Sequence, residues 1–304
     1  RAHSARARSN FQTSRYSTLG AALLLFGAAH GATDVTMNSW AAEVEKALGR
    51  SVMSSFHAMW SVGAGIGAAT GFAATSLGAS FGLQFVAVSG LATAVLLPFL
   101  FVDWTSTQRV RAAGAPVFAF PRGALVLVGL VALSSGLGEG AMVDWSAVYL
   151  RDMIGTGTST ATLGFAVFSV TMVVVRLCAD PVVTRVGRGR VARAGGLLAA
   201  LGLALVTGPL AVWATFLGFV LMGIGYATLS PLAFSRAAAD PILPPGQAIA
   251  SVATFGYGAM LLGPPAIGFV AEASSLRLAF VLIGGLALLI AALAPVLEHP
   301  SADA

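Results

Sequence analysis

An ionisable side chain at the centre of a membrane span costs roughly 2.5 to 3.5 kcal/mol, so those a chain keeps there face a cavity or a partner. His30, Asp34 and Asn38 recur every four residues inside an apolar run, which stacks them along one helical face. A histidine and a carboxylate one turn apart can exchange a proton or hold a polar solute; a hydrogen-bond ladder between helices would use the same residues. Glu139 stands one turn beyond Ser135, between Gly138 and Gly140 in an otherwise apolar stretch. A carboxylate so placed gains or loses a proton as its surroundings change, which makes Glu139 the candidate proton carrier. Asp34 and Asn38, with polar neighbours at four-residue spacing, are the candidate solute-holding pair. Asp144, Trp145 and Tyr149 lie nearer the end of their run, where an aromatic belt with a solvated acid explains them as well as binding does. Trp60, Tyr226 and Tyr257 offer rings for stacking on a ring-shaped solute or for packing between helices. His57 reads as a satisfied helix-end histidine.

Long helices must position these residues. The chain is 57% hydrophobic and 10% charged, with a mean hydropathy of +0.86, where a water-soluble domain carries about 25% charged residues. That composition is of an all-α integral membrane protein. Nine apolar segments can be marked, at 19–42, 52–77, 81–102, 123–149, 158–183, 191–207, 211–235, 247–271 and 277–297. They exceed strand length and lack alternating polar residues, so they read as helices. In alternate links, one side collects Lys46, Arg50, Arg109, Arg111, Arg122, Arg185, Arg188, Arg190, Arg193 and Arg236, and the other Arg151 and Arg277. The bias places the first set, and the C-terminal tail, in the cytoplasm of a multi-pass protein of the cell membrane. The net charge of +5 is thereby explained by retention beside spans, and nucleic acid is not an expected partner. The single cysteine, Cys178, excludes a disulfide framework or a cysteine-based metal site within the chain.

Five of the sixteen arginines fall between Arg176 and Arg193. Asp180, then Arg185 five residues on, then Gly187-Arg188-Gly189-Arg190 resembles the short cytoplasmic loop signature of the major facilitator superfamily. Gly31-Ala-Thr-Asp34, Met53-Ser-Ser-Phe-His57, Glu139-Gly-Ala-Met-Val-Asp144 and Gly263-Pro-Pro-Ala-Ile-Gly268 resemble its bacterial, fucose-permease-like branch. The resemblance implies a major-facilitator-type helical bundle that works by rocking two halves about a central site, with proton coupling through embedded carboxylates. It also implies gating by the Arg176, Asp180, Arg185, Gly187 and Arg188 group, in which an Arg176–Asp180 ion pair would latch the cytoplasmic side. Pro181 stands where the family often has a basic residue, so Arg185 must supply that charge.

In that family the signature loop precedes four spans in each half of six. Four follow it here and nine are present, so three of an expected twelve would precede residue 1. Four outward-facing arginines, Arg1, Arg6, Arg8 and Arg15, and a start at Arg1 in place of methionine agree with that register. So does an offset of 195 residues that superposes Gly31-Ala-Thr33 on Tyr226-Ala-Thr228 and Trp60 to Ala64 on Phe255 to Ala259. The domain reading is a polar basic tail at 1–18, the end of an N-terminal bundle at 19–102, a central cytoplasmic loop at 103–122, a six-helix bundle at 123–297 and a tail at 298–304. Gly63, Gly67 and Gly71 are expected to let helices approach closely. Gly256, Gly258 and Gly263-Pro264-Pro265 are expected to break the eighth span along a solute path.

Motifs of zinc proteases, serine hydrolases and P-loop ATPases are missing from the sequence, so an enzyme is not expected and no cofactor is called for. The expected partners are a small solute, protons and the lipid bilayer. Two alternatives stay open: a drug or metabolite exporter running as a proton antiporter, and a non-transporting membrane scaffold or truncated fragment.

Overall fold

In hydrocarbon every backbone N–H and C=O must find its partner within the protein, which leaves long apolar runs one economical solution, the helix. The computed structural model, which describes residues 2–106 and 120–298, is helical along each of those runs. Its helices are α1 (Ala2–Leu48), α2 (Met53–Ser76), α3 (Phe81–Leu96), α4 (Ala124–Asp152), α5 (Thr158–Val186), α6 (Arg188–Thr207), α7 (Val212–Tyr226), α8 (Leu229–Ala238), α9 (Pro245–Ala273) and α10 (Leu276–Leu293). Short 3-10 turns follow α3 and α10. Among the described residues, eight helical stretches are long and apolar enough to cross a membrane, with α7 and α8 taken together as one. The expected ninth, α2, is a 24-residue helix diluted by Ser, His, Thr and Gly. The segment set apart as a tail, 1–18, joins α1 without a break from Ala2 on. Most of the expected loop at 103–122, including Arg109 and Arg111, and the tail beyond Glu298 lie outside the described residues.

Helices α4 to α10 pack around one buried core that includes Tyr149, Phe168, Phe219, Tyr226 and Phe280. Close approach in it rests on glycines. A methyl group on Gly202 would stand 2.5 Å from the Gly218 carbonyl oxygen, and one on Gly195 2.6 Å from that of Gly225, so α6 and α7 touch backbone to backbone. Of the three glycines expected to allow close approach, a methyl on Gly71 would stand 3.3 Å from Gln84 Nε2 of α3, while nothing lies within 4 Å of one placed on Gly63 or Gly67. Helices α1 to α3 lean on this bundle through α2 against α5 and α1 against α9.

The break in a span is found one helix earlier than expected. Helix α9 runs unbroken through Pro264 and Pro265. Those prolines remove the donors for the carbonyls of Met260 and Leu261 alone, and a helix otherwise bonded on both sides carries that loss. The seventh apolar segment is the divided one, α7 ending at Tyr226 and α8 starting at Leu229. Pro231 explains it: residue 231 would donate to the carbonyl of Ala227, and proline has no N–H.

Candidate functional site

The carbonyl freed by Pro231 is taken by an arginine. Arg176, buried on α5, donates from Nε to the Ala227 carbonyl at 2.9 Å. Its Nη2 reaches Glu139 Oε2 on α4 at 3.2 Å, and its Nη1 reaches Ser61 Oγ on α2 at 3.1 Å. One planar fork thus joins a broken helix, an embedded carboxylate and the leading helices, a combination a lysine could not make. Glu139 Oε1 accepts from Ser135 Oγ at 3.1 Å and Ser230 Oγ at 3.2 Å, so its charge is met by an ion pair and two hydroxyls.

A second polar chain crosses between α1, α2 and α9. Asn38, wholly buried, donates through Nδ2 to the Asp34 carbonyl at 2.9 Å and to Asp34 Oδ1 at 3.1 Å. That fixes the amide so that Asn38 Oδ1 faces His57 Nε2 at 2.9 Å, which places a proton on Nε2. The other carboxylate oxygen of Asp34 accepts from the Tyr257 hydroxyl of α9 at 2.8 Å. His57 stacks on Phe234 of α8, with ring centroids 5.8 Å apart. It is a helix-end histidine, as expected, satisfied by Asn38 and so part of this network.

At the end of the bundle where the basic residues gather, here the basic end, two carboxylates meet the N-terminus of α2. Asp180 of α5 accepts from Ser54 N at 3.0 Å, Ser55 N at 2.9 Å and the Ser55 hydroxyl. Glu45 of α1 accepts from Val52 N at 2.9 Å and Met53 N at 3.0 Å, from the hydroxyls of Ser51 and Ser235, and from Arg188 Nη2 at 3.4 Å. First-turn N–H groups have no intrahelical acceptors and carry partial positive charge, so they draw carboxylates. This corrects the expected Arg176–Asp180 ion pair. Each residue faces a stronger demand, Arg176 from Glu139 and a free carbonyl, Asp180 from a helix end.

The other sequence candidates stand apart. His30 is exposed and stacks on Phe26 of its own helix. Trp60 is exposed on α2, and Asp144 is exposed near the far end of α4. Tyr226 is wholly buried with its ring against Gly138, so it offers a solute no open face in this conformation. Arg185 is exposed, and Gly187 forms the α5–α6 turn with φ of 98°. Sequence reasoning missed Ser61, Ser230 and Glu45. Pro231 inside an apolar segment was the available signal for the break, and Glu45 just before Ser51 was one for a helix cap.

These features define a multi-pass helical bundle whose embedded charges tie its leading helices to the rest. The chain belongs to the major facilitator superfamily, whose model matches residues 128–303, and with it to a family of transporters. It is 55% identical over 285 residues to an uncharacterized transporter of Sinorhizobium fredii, covering 92% of this chain and 74% of that one. Identity is 39% to an uncharacterized MFS-type transporter of Yersinia pestis, over 90% of this chain and 71% of that one. The membrane protein MosC of Rhizobium meliloti is 28% identical over 88% of this chain and 65% of its own length. Two solved structures share the fold. The transporter FucP in the outward conformation superposes with a TM-score of 0.57 at 16% identity, over 72% of this chain and 55% of that one. A variant of the E. coli fucose:proton symporter FucP gives 0.59 at 14% identity, over 71% and 55%.

Proposed function

We propose that the protein is a proton-coupled secondary transporter of a small hydroxylated solute, working by alternating access with its basic end in the cytoplasm. The observation that carries the reading is the shared guanidinium of Arg176. Because the same side chain binds Glu139 and Ser61, a proton arriving on Glu139 removes the charge that holds Arg176 in place. The tie to the leading helices loosens with it. Proton binding and the opening of a path are then one event, and that linkage is what coupling requires. Asp34 holds the solute, with the buried Asn38 fixing its position: Asp34 offers carboxylate oxygens beside the Tyr257 hydroxyl, a set suited to sugar or polyol hydroxyls. The fucose named for the E. coli symporter supports that class through shared fold alone.

The test uses protein reconstituted in liposomes and counterflow of labelled hexoses and polyols. Glu139→Gln is expected to abolish uptake driven by a pH gradient and to spare exchange at equal pH, while Asp34→Asn weakens both. Accumulation against a gradient by Glu139→Gln would remove Glu139 from the coupling role.

A further inference from the structure

The basic end holds a half-open cavity of about 570 Å³ that the transport steps above do not use. It is walled from both sides of the closure, by Lys46 of α1 and Arg50 of the link to α2 and by Thr184, Arg188, Ser235 and Ala239 from α5, α6 and the end of α8. Three cations line it, Lys46, Arg50 and Arg188, with two carboxylates, Glu45 and Glu298. Both carboxylates are engaged. Glu45 caps α2, and Glu298 Oε1 accepts from Gly189 N at 2.9 Å at the start of α6. The cations are not matched in the same way. The side chains of Lys46 and Arg50 make no hydrogen bond or ion pair among the described residues. Arg188 reaches Glu45 only at 3.4 Å, and its Nε is buried with no acceptor.

Cations that lack carboxylate partners around one cavity favour an anionic occupant. We propose that this cavity binds a phosphate-bearing anion, with the guanidinium of Arg188 on one side and the charges of Lys46 and Arg50 on the other. Guanidinium suits the planar spread of phosphate oxygens, while an ammonium serves as a point charge. The volume is within the roughly 300 to 1,000 Å³ of small-molecule sites. Retention of basic loops at one membrane face explains exposed arginines in general. It does not gather Arg188, Lys46 and Arg50, the last two without a side-chain partner among the described residues, around one cavity. A phosphate there would bridge α1 to α6 and add to the closure by Glu45 and Asp180. That consequence rests on alternating access; the binding itself does not. The phosphate has two sources, an anionic lipid headgroup or a soluble phosphate compound.

The test reads occupancy without transport. Protein carrying Cys178→Ser and Ala239→Cys is placed in phosphatidylcholine nanodiscs and labelled with a water-soluble maleimide, with and without millimolar pyrophosphate at matched ionic strength. A parallel sample in nanodiscs containing phosphatidylglycerol receives no pyrophosphate. Labelling about tenfold slower, the factor that 1.4 kcal/mol of binding confers, is expected in one arm, and the arm identifies the source. Protection should disappear in Lys46→Gln/Arg50→Gln. Equal labelling in all samples, or protection that survives the double substitution, overturns the proposal. If the cysteine variant does not fold, thermal unfolding of the unaltered chain decides: stabilisation by pyrophosphate that the double variant lacks supports the site, and no such difference overturns it.

Discussion

Arg176 concentrates at one residue what the rest of the site distributes. Each of its three bonds goes to a different helix pair, and each bond involving a charged group is worth about 1.5 to 3 kcal/mol. The bond to Ala227 depends on Pro231, whose missing N–H leaves that carbonyl open. Pro231→Ala is therefore expected to supply a competing donor, mend the α7–α8 break and draw Ala227 away from Arg176. The melting temperature should hold or rise while counterflow falls about tenfold or more, since removing an interior proline favours a helix by about 3 kcal/mol and a 1.4 kcal/mol bias is already tenfold. Unchanged counterflow would show that the arginine does not need that anchor. At this scale the charged half of the site was legible: Glu139, Asp34, Asn38 and Arg176 announce themselves by standing in apolar runs. Their partners Ser61 and Ser230 do not, because a serine in a glycine- and alanine-rich helix looks like any small packing residue.

Among the elements, helix packing is decided by which glycines face a neighbour. Gly195 and Gly202 on α6 oppose Gly225 and Gly218 on α7, seven residues apart on each helix and running in opposite directions. Gly202→Leu must push the Gly218 backbone away, and overpacking of that kind costs about 1 to 3 kcal/mol. Gly63→Ala meets nothing within 4 Å and should be neutral or slightly stabilising, since alanine is favoured over glycine inside a helix by about 1 kcal/mol. Thermal unfolding of the two variants side by side checks this, and equal melting temperatures would refute the α6–α7 contact. The helices themselves were legible from apolar length, with ends correct to a few residues at α5, α6 and α10. The glycine roles were not. Gly63, Gly67 and Gly71 have the better-looking period, but period alone cannot tell where a neighbour lies, and only Gly71 has one opposite, Gln84. Likewise Pro264-Pro265 looks a stronger breaker than Pro231, yet among the described residues no guanidinium bonds to the carbonyls freed in α9.

The whole molecule is held at its basic end by carboxylates from two directions on one helix start. Asp180 arrives from α5 and Glu45 from α1, and both take N–H groups of the first turn of α2. In the alternating access proposed above, α5 and α2 belong to groups that separate as that end opens, so the Asp180 bonds would exist in the closed arrangement and be lost in the open one. A ligand or a substitution shifts such an equilibrium only by its differential effect on the two states, and these bonds are such a difference. Asp180→Asn keeps an acceptor oxygen but gives up the charge facing the positive end of α2, a loss of about 1 to 2 kcal/mol when partly buried. The open population should therefore rise by about five- to thirtyfold. Spin labels on Ala47→Cys and Ala239→Cys in a Cys178→Ser background, read by double electron–electron resonance, should show a long-distance component growing in Asp180→Asn. Asp144→Asn, which alters an exposed carboxylate on the far side of α4 from this closure, should leave the distances as they were. If both variants match the unsubstituted protein, Asp180 caps α2 without governing the opening. The closure would then rest on Glu45, whose own charge faces Arg188 at only 3.4 Å and whose substitution becomes the next to make.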